Sequence, residues 1–329
     1  MTRRGLLLFV ALGVAWGIPY LFIKVAVSEL EPAMVVLGRS ALAALLLMPL
    51  AFFRREVWMV VRRWKPMAAY TLVEIVLPWY FLSSAEQRLP SSTAGLLLAT
   101  VPLAGVGIAF LMGRPERLTR LNWLGIVLGM LGVAALVGLD IAGSDFIAVA
   151  EMAVVVVGYA LGPAILARWM SDLPGVGVVA VSLAATAVVY VPFVLLTGAW
   201  PSAWPSTSVV VSIVVLAVVC SALAFLLMVA LIGEIGPVKA TAITYVNPAV
   251  AILAGVLVLG ERVTVWTIAG FGLVLAGSYL VTRRRAQPVG GSGVEEHAAA
   301  QEADESPAGG RVPVPPRRGP EAGVRAPER

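Results

Sequence analysis

Ten runs of about twenty apolar residues, broken only by short polar turns, leave this chain few folds to adopt. They lie at about 5–27, 32–52, 67–85, 92–112, 121–138, 147–168, 176–197, 208–232, 238–258 and 264–282. At 1.5 Å per residue, roughly 20 residues of α-helix cross the hydrocarbon core of a bilayer. A water-soluble helix carries a polar face, and most of these runs have none. The alternating ten-residue segments of an outer-membrane barrel are also missing. Lipid offers backbone N–H and C=O groups no partner, so each run is expected to be a helix. The predicted fold class is all-α and integral to the membrane, with ten transmembrane helices. Only 13% of the residues are charged, against about 25% in soluble domains, which agrees.

Arg3 and Arg4 ahead of an apolar run resemble a signal peptide. The run continues past Trp16 to Val27 with no A-x-A cleavage site, so an uncleaved first span is expected. Basic residues then set the orientation. With the N-terminus inside, the inside segments collect Arg3, Arg4, Arg54, Arg55, Arg62, Arg63, Lys65, Arg114, Arg117, Arg120, Arg168 and Arg283–Arg285. The outside loops hold Arg88 and Arg262 among the acids Glu29, Glu31, Asp140 and Asp145. The positive-inside rule therefore predicts both termini in the cytoplasm and a multi-pass protein of the bacterial cytoplasmic membrane. The net charge of +5 belongs to these span ends, so no nucleic-acid partner is expected. From Ala286 the composition turns to Pro, Gly, Ala, Glu and Arg, with GGSG at 290–293 and PVPP at 313–316. That stretch cannot bury a core and is expected to be a disordered cytoplasmic tail.

The chain repeats itself. Glu116-Arg117-Leu118-Thr119 recurs as Glu261-Arg262-Val263-Thr264, and each Glu is followed at the same two intervals by glycine, as Gly125 and Gly132, then Gly270 and Gly277. Pro102 and Pro248 precede the two motifs, and Pro19 with Lys24 matches Pro163 with Arg168. The predicted boundaries are residues 1–142 and 143–285 for two five-helix repeats, and 286–329 for the tail. Five is odd, so the second repeat would enter the membrane inverted. Inverted repeats recur in secondary transporters, where one half rocks against the other around a midplane site.

Trp16-Gly17 in the first span, Pro32 and Arg39 at the second, proline-centred fourth spans, the Glu-Arg-x-Thr turns and glycine-rich closing spans occur in order over both halves. In these features the chain resembles the EamA-type proteins of the drug/metabolite transporter superfamily, over about residues 5–283. The resemblance implies ten helices, cytoplasmic termini and transport of small metabolites, often outward. It also implies a central cavity drawing on spans 1, 3, 4, 6, 8 and 9. Two departures stand out. Gly113-Arg114-Pro115-Glu116 holds two residues that Gly260-Glu261 lacks, and span six offers Tyr159 where the first half has Trp16-Gly17.

Glu74 is the sharpest candidate for chemistry. It falls near the middle of span three, where an ionised, unpaired carboxylate costs roughly 3 kcal/mol. It is read as a substrate-binding residue and as the candidate for proton coupling, against a structural carboxylate paired with a neighbouring helix. Lys24 and Arg39 sit inside spans one and two. They either attract an anionic or zwitterionic solute or pair with Glu29, Glu31 or Glu86. Pro102 and Pro248 free backbone carbonyls at matched positions. Thr244, Tyr245 and Asn247 form a polar stripe beside Pro248, and Trp16, Tyr20, Trp79 and Tyr159 are placed to line the same cavity. Glu151 is expected at the interface, and Glu116 and Glu261 as caps or partners of neighbouring Arg. Gly13-x-x-x-Gly17 and Gly125-x-x-x-Gly129 read as close-packing surfaces, compatible with a homodimer.

The chain has one histidine, His297, and one cysteine, Cys220. They cannot build a His/Cys metal cage or a Ser-His-Asp site, so no metal, cofactor or catalytic residue is expected. The expected partners are membrane lipid and a small-molecule substrate. The expected function is a secondary transporter moving a small metabolite or drug-like solute by alternating access, in the export direction. The alternatives are an intramembrane enzyme using Glu74 as acid or base, and a non-transporting membrane sensor.

Overall fold

A computed structural model describes residues 2–111, 119–140, 146–236, 240 and 242–282. The turn at Glu116, Asp145, the cluster Arg283–Arg285 and the tail with His297 lie outside the described residues. Every regular element among the described residues is a helix. Seven are long and apolar enough to cross a membrane. These are α1 (Arg3–Ala26), α2 (Pro32–Phe53), α3 (Trp64–Arg88), α4 (Ser91–Ile108), α6 (Phe146–Trp169), α7 (Gly175–Thr197) and α8 (Thr207–Ile235). Three shorter apolar helices are α5 (Arg120–Ala135), α9 (Ile243–Leu259) and α10 (Val265–Val281). The chain is an all-helical membrane protein. Its third helix outruns the expected 67–85 at both ends and takes in Glu86.

Large side chains on the outer helix faces are open, as with Leu45 of α2, Leu196 of α7 and Leu257 of α9, the last 79% exposed. In water so much apolar surface would aggregate; in a bilayer it meets lipid. Inside the bundle, large apolar side chains such as Leu12, Ile75, Met152 and Leu216 are fully buried, and small residues occupy the closest helix contacts. Between α5 and α10 a Cβ at Gly277 would overlap the backbone of Gly125 and Gly129. Only glycine lets these helices approach so closely, and the reading of Gly125-x-x-x-Gly129 as a packing surface holds. α1 packs on α8 and α9, while α6 packs on α3 and α4. α2 lies along α7, α4 along α9, and α5 along α10. In each of these contacts one helix comes from before residue 142 and one from after it.

Polar ties hold both ends of the bundle. At the N-terminal end Arg63 grips Asp172 through two hydrogen bonds of 2.8 and 2.7 Å. At the opposite end Arg88 meets Glu151 at 2.6 Å, and Ser84 donates to the other oxygen of Glu151 at 2.8 Å. There Glu29 also accepts the Ser206 N–H at 2.7 Å, and hydrogen bonding from Ser206 lowers its carboxyl pKa.

Glu261, between α9 and α10, reaches across to the start of α4. Its two oxygens accept the N–H groups of Ser91 at 2.7 Å and Ser92 at 3.0 Å. These are donors that a helix start leaves without an intrahelical partner, and the helix dipole favours an anion there. Burial pushes the Glu261 carboxyl up, but the hydrogen bonds from Ser92 and Ser91 outweigh it and hold the group below the ordinary carboxylate range. A group depressed in the folded state stabilises fully above the ordinary value of about 4.3, and the effect fades as pH falls through the folded value. Glu261→Gln is therefore expected to cost about 1 kcal/mol, equally at pH 7 and pH 5. The gap should narrow below about pH 4, as read from apparent melting temperatures in detergent across that range.

Candidate functional site

Two wide turns interrupt the long helices. α3 contains a π-helical turn at Leu72–Val76 and α8 one at Val218–Leu223. Such a turn adds a residue to the helix, disturbs its hydrogen-bond ladder, and is frequent at functional sites. Each is tied off by a side chain from elsewhere in the bundle. In α8 the Ser221 hydroxyl donates to the Leu216 carbonyl at 2.8 Å and accepts Nε of Arg39, from α2, at 2.8 Å. In α3 the Val76 carbonyl accepts the hydroxyl of Tyr190, from α7, at 2.8 Å.

Glu74 lies on the α3 turn. Its side chain is partly buried, and Oε2 is sealed from solvent without a hydrogen-bond partner among the described residues. The carboxylate lies against Gly162 of α6, where any Cβ would overlap it. Gly158, one turn earlier on α6, leaves the same kind of room for the Val73 carbonyl. The missing side chains of α6 thus make space for an acid held on a widened turn.

Nearer the opposite end from the N-terminus, a second polar group forms around Arg39. Its guanidinium stacks 3.7 Å over the Trp79 ring while Nε holds Ser221. Tyr159 lies against Trp79, and the charges of Arg39 and Glu86 reach both Tyr20 and Tyr159. Lys24 pairs with none of the carboxylates considered for it. Its ammonium donates to the carbonyls of Glu86 at 2.6 Å and Leu89 at 2.9 Å, and so caps the C-terminal end of α3. The Glu86 side chain is 0% exposed, and neither of its carboxylate oxygens has a hydrogen-bond partner among the described residues. Cys220 is buried on the α8 turn next to Ser221, within reach of the Arg39 charge.

The other candidates are spread more widely. Trp16 packs edge-on against Phe225 of α8, with ring centroids 5.7 Å apart. Pro102 is the second residue of a fresh helical segment that starts at Val101, just after a 3₁₀ turn at Leu98–Thr100, and the Thr100 hydroxyl donates to the Leu97 carbonyl at 2.6 Å. Pro248 is buried inside α9. Asn247 beside it has an unpartnered Oδ1 among the described residues, and its carbonyl lies close to Gly17 of α1. Tyr245 turns to α10 and donates to the Ser278 carbonyl at 3.2 Å. Thr244 is partly buried on α9. The structure thus gathers Tyr20, Lys24, Trp79 and Tyr159 with Arg39 and Glu86, while Glu74 sits against α6, Trp16 against α8 and Tyr245 against α10. Among the described residues no three metal-binding side chains cluster. A cavity of about 550 Å³ lies apart from all of these, walled by apolar residues including Met34, Trp200, Trp204 and Ile213.

Sequence reasoning passed over Glu86 as a site residue and missed Ser221 and Tyr190. The available signal for Glu86 was its seven-residue spacing from Trp79, two helical turns along one face.

The EamA-like transporter family matches this chain twice, at residues 3–138 and 147–283. A protein of Escherichia coli (strain K12) named "Uncharacterized inner membrane transporter YedA" is 29% identical over 275 residues, covering 83% of this chain and 88% of the relative. "Uncharacterized transporter YvbV" of Bacillus subtilis (strain 168) is 24% identical over 304 residues, with 91% and 98% covered. A solved crystal structure, 20% identical, shares the fold with a TM-score of 0.62 over 87% of this chain and 100% of its own. With both matches taken together, nearly all of the helical region is accounted for, and the chain belongs to the EamA-like transporter family.

Proposed function

We propose that this protein is a secondary transporter that moves a small metabolite or drug-like solute out of the cytoplasm by alternating access. In this reading ten helices form two inverted five-helix repeats, residues 1–142 and 143–285, with both termini cytoplasmic. The observation that carries it is the pair of π-turns. They start 146 residues apart, at Leu72 and Val218, within one residue of the 145 that separate Glu116 from Glu261. Each is tied to the second helix of the other half, by Arg39 or by Tyr190. The exchange of packing partners, α1 on α8 and α9 against α6 on α3 and α4, supports the same symmetry. So do the two family matches and the relatives named as transporters.

Glu74 is the moving part of the chemistry. Protonated, it is a neutral group that fits between α3 and α6. Ionised there without a partner, it costs roughly 3 kcal/mol. Loss of its proton therefore favours a conformation in which α3 and α6 part and water or a cationic solute reaches the carboxylate. That difference between the two conformations is what a coupled transporter requires, since a ligand shifts an equilibrium only by its differential affinity.

Two experiments test the reading. With both termini inside, a cysteine placed at 144 should be labelled by an impermeant reagent in intact cells and one at 58 shielded; the reverse pattern overturns the orientation. Transport is read in sealed vesicles, with a solute chosen by thermal-shift screening of the purified chain against metabolite and drug libraries. Glu74→Gln keeps size and most hydrogen bonding but cannot titrate. It should insert normally and lose at least about tenfold in flux per molecule, the equivalent of about 1.4 kcal/mol. The residual flux should lose its pH dependence. Reduced abundance with normal flux per molecule would make Glu74 structural. Absence of any solute-dependent flux would favour an enzyme or a sensor.

A further inference from the structure

Among the described residues, every buried side-chain polar atom without a hydrogen bond is an oxygen. They belong to Glu56, Thr71, Glu74, Glu86, Ser91 and Asn247. Lys24 is taken up by two carbonyls, while Arg39 holds Ser221 through Nε and stacks over Trp79, leaving its terminal nitrogens without a hydrogen bond among the described residues. Of the seven unpartnered atoms, the hydroxyls of Thr71 and Ser91 can also donate, and the other five are carboxylate or amide oxygens. Glu86 alone supplies two of those five. That side chain is 0% exposed and both its oxygens are unpartnered. The charged and titratable groups whose fields reach it are Lys24, Glu261 and Arg39, with Tyr20 and Tyr159 beside them. Among the described residues none of these forms an ion pair with it.

We propose that Glu86 is the anchoring residue for a protonated amine on the transported solute. The assignment rests on the transporter reading above and names the chemistry of the solute. An ammonium supplies what the two Glu86 oxygens lack, up to three N–H donors in direct contact, carried on a compact positive charge. A buried carboxylate given such a partner forms a charge-assisted bond stronger than a neutral one. A metal ion fits less well, because hard cations take about six or more oxygens and the neighbouring carbonyls of Glu86 and Leu89 are already held by Lys24. Glu86 lies twelve residues beyond Glu74, about 18 Å along α3, so the amine site and the proton site are separate positions on one helix.

The test uses the purified full chain in detergent, with thermal shift as the readout and four probes: phenethylamine, L-phenylalanine, 3-phenylpropionate and sodium chloride. Phenethylamine should raise the melting temperature saturably, and Glu86→Gln should weaken that binding at least tenfold. If L-phenylalanine also binds and is lost with Glu86→Gln, the amine belongs to an amino acid; if phenethylamine alone binds, the solute is a simple amine. Both results support the assignment. Stabilisation by 3-phenylpropionate alone or sodium chloride alone overturns it, as does no response to either amine or full phenethylamine affinity in Glu86→Gln. A measurement on the unaltered chain covers the case in which that variant does not fold. Dicyclohexylcarbodiimide labelling of Glu86, mapped by mass spectrometry, should be blocked by phenethylamine and unaffected by 3-phenylpropionate. Failure of phenethylamine to protect Glu86 overturns the assignment. Binding in detergent without flux in vesicles would sink the transporter reading and leave the amine site standing; flux with no amine binding would do the opposite.

Discussion

A backbone carbonyl or N–H in hydrocarbon must find its partner within the protein, and the rest of this structure depends on that constraint. It makes every described element a helix. It also makes any break in a helix an event that some other residue has to repair. The two π-turns are such breaks, and Arg39 with Ser221 and Tyr190 with Val76 are the repairs. Because each repair comes from a helix far away in sequence, the widened turns fasten the bundle as well as interrupt it. Lys24 on the last carbonyls of α3 and Glu261 on the first N–H groups of α4 answer the same constraint at helix ends.

Charge is distributed by the same rule. Arg39 and Lys24 are cations in an apolar interior, yet Arg39 meets a serine hydroxyl and the face of Trp79, and Lys24 meets two carbonyls. Among the described residues no carboxylate forms an ion pair with either. The acids Glu74 and Glu86 are left with oxygens that no described residue fills. Stability alone would favour pairing these groups with one another, since an unmatched buried charge is costly. Ionisable groups inside a membrane mark functional sites by default, and these two acids are the ones left without such partners among the described residues.

Much of the architecture was legible in the sequence. Helix positions follow from apolar run length, and Glu74 drew attention as a lone acid between Val73 and Ile75. Glu261 could be read as a cap from its place in a turn. Glu86 was harder, because Ser83-Ser84-Ala85-Glu86-Gln87-Arg88 reads as a helix leaving the membrane, and only tertiary packing buries it. The π-turns were not legible at all. LVEIV and VVCSAL are ordinary apolar helix sequence, and the side chains that meet them, Arg39 and Tyr190, come from helices distant in the chain. The Arg39–Ser221 bond joins residues 182 apart, beyond the reach of any local pattern.

One consequence follows from where the single thiol sits. Cys220 is enclosed on the α8 turn, next to the serine that Arg39 holds. In this arrangement a maleimide or iodoacetamide cannot reach it. An alternating-access cycle that parted α2 from α8 would break the Arg39–Ser221 bond beside it. If the same movement opens the turn, the alkylation rate of Cys220 reports the fraction of time the bundle stands open, with no engineered label required.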